Sequence, residues 1–156
     1  MLASDHLALS HVKLHGALYS LAAKDRAIAD AVSRAVASFD GQLLLFALAG
    51  SALVESGRTA GLPVVQEGFA DRAYRSNGTL VPRSECGALL QNKAQVRNQL
   101  RTILNGYVTS ADGQRVALHA DSLCLHIDTP HAVEFVHLVR AEIQSAGIGI
   151  VRPRAR

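Results

Sequence analysis

Cysteine is scarce in this chain, which has only Cys86 and Cys124 among its 156 residues. Two cysteines do not make a disulfide framework, and Cys124, in an apolar run, is predicted to be a small buried hydrophobe. No apolar run approaches the roughly 20 residues that a membrane-spanning helix needs. The first six residues lack the basic region and apolar core of a signal peptide. We therefore expect a protein of the reducing cytoplasm, with no membrane partner.

A large excess of one charge and a basic stripe interleaved with aromatic residues are also missing. The formal net charge is only +3, and part of it lies in the arginine-rich residues 152–156. This pattern argues against a nucleic-acid partner. Cys-x-x-Cys, Walker-type and Gly-x-Ser-x-Gly patterns are absent as well, which disfavours P-loop and serine-hydrolase chemistry.

The composition that is present is typical of a globular protein, with 49% apolar and 19% charged residues. A chain of this length is expected to form a single domain, residues 1–156, with a sizeable core. The ends, about 1–10 and 152–156, are expected to be flexible.

The apolar periodicity predicts strands that alternate with helices, and hence a parallel sheet with right-handed crossovers. The predicted strands are Val12–Leu14, Leu43–Leu48, Pro63–Phe69, Leu123–His126 and Ile148–Val151. One helix is capped by Asp25, a second spans Ala52–Ala60, a third is capped by Asn92, and a fourth opens at Asp128-Thr129-Pro130. The predicted buried stripes include Leu21, Val36 and Phe39; Val96, Leu100, Ile103 and Leu104; and Val133, Val136, Val139 and Ile143. Asp112-Gly113 predicts a two-residue hairpin turn, and the long polar segment 70–87 is predicted to be a functional loop or disordered.

Polar residues follow four of these strands, where parallel strands place ligands and chemistry. Because residues i and i+2 of a strand share a face, the pairs after the first and fourth strands should each project together. The four groups are Lys13 and His15; Gly50 and Ser51; Asp71, Arg72, Tyr74 and Arg83; and His126 and Asp128. Their convergence on one edge of the sheet would form a candidate site.

The chemistry of these groups leaves alternatives open. Arg72 and Arg83 suit a phosphate or carboxylate ligand, or are solvated loop charges. The His126–Asp128 pair could bind a divalent metal or act as an acid/base couple, and the spacing does not choose between them. Structural readings are a core histidine for His126, a helix cap for Asp128, and a turn with an N-cap for Gly50-Ser51.

Several ordered blocks of the chain resemble signature blocks of the LamB/YcsF family, the A subunit of the bacterial ATP-dependent 5-oxoprolinase. The resemblance covers about residues 11–151 and rests on Val12–Tyr19, Ala49–Ser51, Phe69–Tyr74, Gly78–Ser84 and His126–Pro130. It implies a seven-stranded β/α barrel of the glycoside hydrolase/deacetylase-like type. It also implies cleavage of the lactam of 5-oxo-L-proline to L-glutamate with ATP hydrolysis, together with partner subunits B and C.

The resemblance implies roles for the candidate residues too. Lys13, Arg72 and Arg83 would bind phosphate and the substrate carboxylate, with Tyr74, Gly50 and Ser51 in the same binding set. The catalytic set would be Lys13, His15, Asp71, His126 and Asp128, of which the last four would position water or a metal.

The family's usual N-terminal blocks have no counterpart here, so we expect a partial barrel with parallel strands, flanking helices and one β-hairpin. Three fewer strands would leave Val12–Leu14 as an apolar edge, which predicts self-association, an open sheet or a marginal fold. Two alternative functions follow: a non-catalytic remnant or assembly module of the family, and, on fold analogy alone, a metal-dependent deacetylase-like hydrolase.

Overall fold

A computed structural model describes residues 8–128 and 131–154 of the chain. It divides the chain into two compact units, the first formed by residues up to Val65 and from Pro153 onward, the second by Gln66–Arg152. The single-domain organisation stays a prediction. The elements confirm the α/β class, since parallel strands alternate with helices that flank them.

The first unit contains two paired strands and three helices. Strand β1 (His11–Lys13) runs in parallel with β2 (Leu44–Leu48), with Val12 opposite Leu45, and the Leu45 N–H donates to the Pro63 carbonyl at 2.8 Å. Strand β3 (Val64–Phe69) begins in this unit and continues into the second. The elements are β1 (His11–Lys13), α1 (Gly16–Ala22), α2 (Arg26–Phe39), β2 (Leu44–Leu48), α3 (Ala52–Thr59) and β3 (Val64–Phe69).

Helix α2 begins where the sequence predicts it. The Asp25 carboxylate accepts hydrogen bonds from the N–H groups of Ala27 and Ile28 at 2.8 and 3.2 Å, which satisfies two otherwise unpaired donors of the first turn. Two residues of the predicted buried stripe are exposed, however. Phe39, the last residue of the helix, is 73% exposed, and Leu21 on α1 is 50% exposed.

Strand β2 is buried on both faces, as a continuous apolar run predicts for a parallel strand covered by helices. Leu45 and Ala47 are fully buried in the same core as Leu53 of α3. Gly57 of α3 lies so close to this core that a Cβ atom there would be 2.8 Å from Val64 Cγ2 and 2.9 Å from Leu45 Cδ2. The helix can approach at this distance because Gly57 has no side chain.

The second unit combines a parallel strand pair with two helices and a hairpin. Strand β3 pairs in parallel with β6 (Ser122–Cys124), with Gly68 opposite Leu123. Residues 70–92 form neither helix nor regular strand, yet Asp71, Arg72 and Tyr74 are buried. The further elements are α4 (Lys93–Leu104), β4 (Tyr107–Thr109), β5 (Arg115–Ala117), β6 (Ser122–Cys124) and α5 (Ala132–Ser145).

Local sequence signals predicted the start of helix α4 and the existence of the hairpin, but not all of their details. The Asn92 side chain accepts from the Gln95 N–H at 3.0 Å and caps α4 as predicted, although Leu104 at the end of its predicted stripe is 37% exposed. The predicted hairpin exists, but the predicted two-residue turn is wrong. The last paired residues are Thr109 and Arg115, so five residues connect β4 and β5. Within this loop the Ser110 N–H donates to the Gln114 carbonyl, and Gly113 has φ +82°.

The C-terminal region departs most from the prediction. Helix α5 buries Ala132, Phe135 and Val139, whereas Val133 and Val136 of the predicted stripe are 71% and 43% exposed. Helix periodicity predicted the helix but not which of its sides is buried, because valines occur on two sides of this helix. Residues 148–151 form no strand, and the predicted cap and first position, Thr129 and Pro130, lie outside the described residues.

Candidate functional site

A buried aspartate and a histidine come together at the carboxyl ends of the paired strands β3 and β6. Asp71 lies two residues beyond β3, and His126 lies two residues beyond β6. The Asp71 Oδ2 atom accepts the backbone N–H of His126 at 2.7 Å and is 2.9 Å from its Nδ1. The sequence spacing predicts that His126 pairs with Asp128, but in the structure the hydrogen-bond partner of the imidazole is Asp71. Parallel pairing of the two strands brings Asp71 and His126 together from 55 residues apart.

This contact orients the imidazole ring. Nδ1 is turned towards the Asp71 carboxylate, so Nε2 is the ring nitrogen on the side away from Asp71. The Phe69 ring stacks on the imidazole, with centroids 5.7 Å apart and planes inclined by 22°. Asp71 is 1% exposed, and its Oδ1 atom has no hydrogen-bond partner among the described residues. The imidazole is thus held between a buried carboxylate and an aromatic ring.

Arg72 and Tyr74 are engaged inside the segment that follows Asp71. The guanidinium of Arg72 donates to the carbonyls of Val81 at 2.6 Å and Ala88 at 3.3 Å. Burial, followed by the charge of nearby Arg83, lowers the Arg72 pKa. The alternative of a solvated charge at Arg72 is therefore wrong. These two nitrogens hold the loop, and phosphate binding by Arg72 stays a prediction.

The Tyr74 side chain is fully buried, and its hydroxyl oxygen accepts the Phe69 N–H at 2.7 Å. Burial raises the pKa of this hydroxyl well above its usual value, which keeps the phenol neutral. In this structure the hydroxyl supports the end of β3, and its contact with substrate stays a prediction.

Arg83 and Asp128 form an ion pair at the surface of the second unit. The Arg83 Nη1 atom is 2.5 Å from Asp128 Oδ2, and the side chains are 42% and 58% exposed. The hydrogen bond from Arg83 is the main cause that lowers the Asp128 pKa. Helix α5 begins at Ala132 and is preceded by His131. The Asp128 carboxylate is paired with Arg83, and a metal ion could bind to Asp128 only by displacing this guanidinium.

No group of three or more histidine, cysteine or carboxylate side chains in the described parts of the chain is arranged to hold a metal ion. In the predicted His126–Asp128 metal site, His126 Nδ1 contacts Asp71 and Asp128 is paired with Arg83. Metal binding by these residues stays a prediction, because a contact through Nδ1 leaves Nε2 of the histidine available as a ligand.

The remaining candidates lie in the first unit. Lys13 is partly buried, with Nζ 5.9 Å from the centre of the Tyr19 ring, and His15 is exposed directly before α1. Gly50 takes the left-handed conformation, at φ +72°, that lets the chain turn into α3. Ser51 occupies the N-cap position of α3 as predicted, but its hydroxyl makes no capping hydrogen bond. It is buried and has no partner within residues 8–128 and 131–154. Convergence of these residues with the Asp71–His126 pair stays a prediction.

One residue of the site region was missed. Gln99 of α4 is buried, and its amide nitrogen donates to the backbone carbonyls of Phe69, at 2.7 Å, and Arg72. Gln99 falls three residues after Val96 and four before Ile103, on the predicted buried face of the helix. An amide at a buried helical position requires hydrogen-bond partners, and that signal was available in the sequence.

The fold and the paired polar residues define an α/β protein with a candidate site beyond the carboxyl ends of parallel strands. The sequence profile of the LamB/YcsF family matches residues 1–156. The chain belongs to the LamB/YcsF family, as the resemblance indicated.

Individual relatives agree with this assignment. The chain is 46% identical over 153 residues to the 5-oxoprolinase A subunit of Symbiobacterium thermophilum, covering 97% of this chain and 59% of the relative. It is 50% identical over 145 residues to the protein of that name from Neisseria meningitidis serogroup A, covering 92% of this chain and 59% of the relative. The crystal structure of the lactam utilization protein from Thermus thermophilus matches with a TM-score of 0.82 and 41% identity, over 99% of this chain and 61% of that one.

The chain therefore spans about three-fifths of the length of these relatives. Within the described residues, no helix combines the length and apolar character required to cross a membrane.

Proposed function

We propose that this chain carries part of the active site of a 5-oxoprolinase, as its A subunit. The reaction would open the lactam of 5-oxo-L-proline to L-glutamate with hydrolysis of ATP, in the cytoplasm and together with partner subunits B and C. The names of its relatives support this role within the enzyme. The observation that carries a catalytic role is the Asp71–His126 contact, because an imidazole oriented by a carboxylate is suited to act as general base towards water.

The proposed chemistry follows from the stability of the amide bond. ATP would transfer its terminal phosphoryl group to the amide oxygen, which makes the ring carbon susceptible to attack. His126 Nε2 would accept a proton from the attacking water, while Asp71 stabilises the imidazolium through Nδ1–H. The carbon–nitrogen bond would then break, with the amine nitrogen gaining a proton and the ring carbon becoming an acyl phosphate. A second water would hydrolyse this acyl phosphate to the carboxylate of glutamate and inorganic phosphate.

Cationic groups are needed for the phosphate groups and the substrate carboxylate. Arg83 is exposed and its donors already face a carboxylate, that of Asp128. A substrate carboxylate could take the place of Asp128, because the arginine fork binds either one. Lys13 and Arg72 complete the proposed cationic set, with Tyr74, Gly50 and Ser51 in the binding set and His15 and Asp128 beside the water.

The test is an assay of glutamate formed from 5-oxoproline and ATP by the 156-residue chain with subunits B and C. We expect His126→Gln to lower kcat by about 100-fold or more, because a positioned general base contributes about 10²–10⁴-fold. The matched control is His137→Gln, on the exposed side of α5, which should retain full activity.

Two results would contradict the proposal in different ways. If the complete wild-type mixture forms no glutamate, the non-catalytic module is favoured. If glutamate forms but His126→Gln is as active as His137→Gln, the catalytic base lies elsewhere.

A further inference from the structure

The backbone around Asp71 is held by a side chain from a different element. The Gln99 amide on α4 donates to the carbonyl two residues before Asp71, that of Phe69, and to the carbonyl directly after it, that of Arg72. One NH₂ group therefore bridges both sides of the residue that orients His126. Gln99 is 9% exposed and comes from a helix later in the chain, so the bridge forms only in the folded unit.

Two more hydrogen bonds fix the same turn. The Phe69 N–H donates to the hydroxyl of Tyr74, and the Leu90 N–H donates to the Asp71 carbonyl at 2.9 Å. Aspartate has only two side-chain torsions, so a fixed backbone largely determines where its carboxylate lies. The same contacts place Phe69, whose ring stacks on the imidazole.

We propose that Gln99 is a positioning residue for the reaction: its amide holds the Phe69–Arg72 turn so that the Asp71 carboxylate keeps the His126 ring in its productive orientation. This inference rests on the proposed function for the rate that it predicts. It does not require Gln99 to contact substrate. An isosteric methionine would fill the same space without donors, so the amide itself can be tested.

The kinetic test compares Gln99→Met with Gln144→Met, the same substitution at an exposed position of α5. In the assembly with subunits B and C, we expect Gln99→Met to lower kcat by about 10- to 100-fold, since small misplacements of catalytic groups have effects of this size. The KM values for 5-oxoproline and ATP should change less than about twofold, because the amide touches neither. Gln144→Met should match the wild type.

A double-mutant cycle separates positioning from general stability. In the His126→Gln background, adding Gln99→Met should lower kcat no further, because the group that it positions is gone. Multiplicative losses in the double variant, or an equal rise in KM, would overturn the proposal.

A second readout does not depend on turnover. In the ¹⁵N-labelled chain alone, the Nδ1-bound proton of His126 should be visible at low field in the wild type and in Gln144→Met. It should be lost or shifted in Gln99→Met and in Tyr74→Phe, a variant that removes only one oxygen atom. An unchanged Nδ1 signal in both variants would overturn the proposal even if the enzyme assay succeeds. A changed signal in an assembly that forms no glutamate would support the positioning and reject the proposed function.

Discussion

Replacing Gly57 by alanine should destabilise the first unit, although alanine is the better helix former. Gly57 lies within α3, and its missing Cβ would be 2.8 Å from Val64 Cγ2 and 2.9 Å from Leu45 Cδ2. Carbon–carbon contacts are optimal near 3.5–4.0 Å. Leu45 is completely buried and Val64 is β-branched, so neither side chain can turn away freely.

The expected magnitude is the difference between two opposing terms. Alanine gains about 1 kcal/mol over glycine in a helix interior. Overpacking a closed core by one methyl group costs about 1–3 kcal/mol. With two contacts shorter than 3 Å on one atom, the cost should lie in the upper half of that range. We therefore expect a net loss of about 1–2 kcal/mol, or about 2–8 °C in Tm for a chain of this size.

Urea unfolding followed by circular dichroism measures this loss. The matched control is Gly41→Ala, at an exposed position whose nearest neighbour to an added Cβ is 4.0 Å away. That variant should be unchanged or slightly more stable. The double variant Gly57→Ala/Val64→Ala removes the nearest contact and should lose less than the sum of the single variants. A Gly57→Ala protein more stable than the wild type would refute the close packing of α3 on β2.

Three further predictions concern single contacts. Asp25→Ala removes the cap of α2 and should lower the free energy of unfolding by about 1 kcal/mol, measured by urea titration, whereas no change would contradict the capping. Arg72→Met leaves two backbone carbonyls without their donor and should cost about 2–3 kcal/mol by the same assay; a neutral effect would show that the loop does not depend on this guanidinium. Hydrogen bonds from Ser56 and then Arg26 lower the pKa of Asp30 below 3.8, so their contribution is complete above that pH and is lost as the pH falls through the lowered value. Ser56→Ala should reduce this loss in urea midpoints measured from about pH 6 to about pH 3, and an identical pH profile would contradict the assignment.

Local signals in the sequence predicted most of the helices and strands. Caps such as Asp25 and Asn92 are short-range interactions within one turn, so they can be recognised from neighbouring residues alone. The run Leu43–Leu48 showed a strand buried on both faces because its length and apolar character leave few alternatives. The predictions of buried residues failed where burial depends on which other element packs against the side chain. Val133 and Val136 are as apolar as Val139, and only the packing of α5 decides that Val139 is buried. Residues 148–151 had a strand-like composition, but strand formation requires a partner.

The candidate site divides in the same way. From the sequence alone came the residue types and their place after parallel strands, together with the family that the comparisons confirmed. Periodicity paired His126 with Asp128, its neighbour along the chain. The tertiary structure placed Asp71 against His126 and Arg83 against Asp128, and it brought Gln99 to the turn that holds Asp71. A side chain two positions away is fixed by backbone geometry, whereas contacts between distant parts of the chain are fixed only by strand pairing and helix packing, which no local pattern encodes.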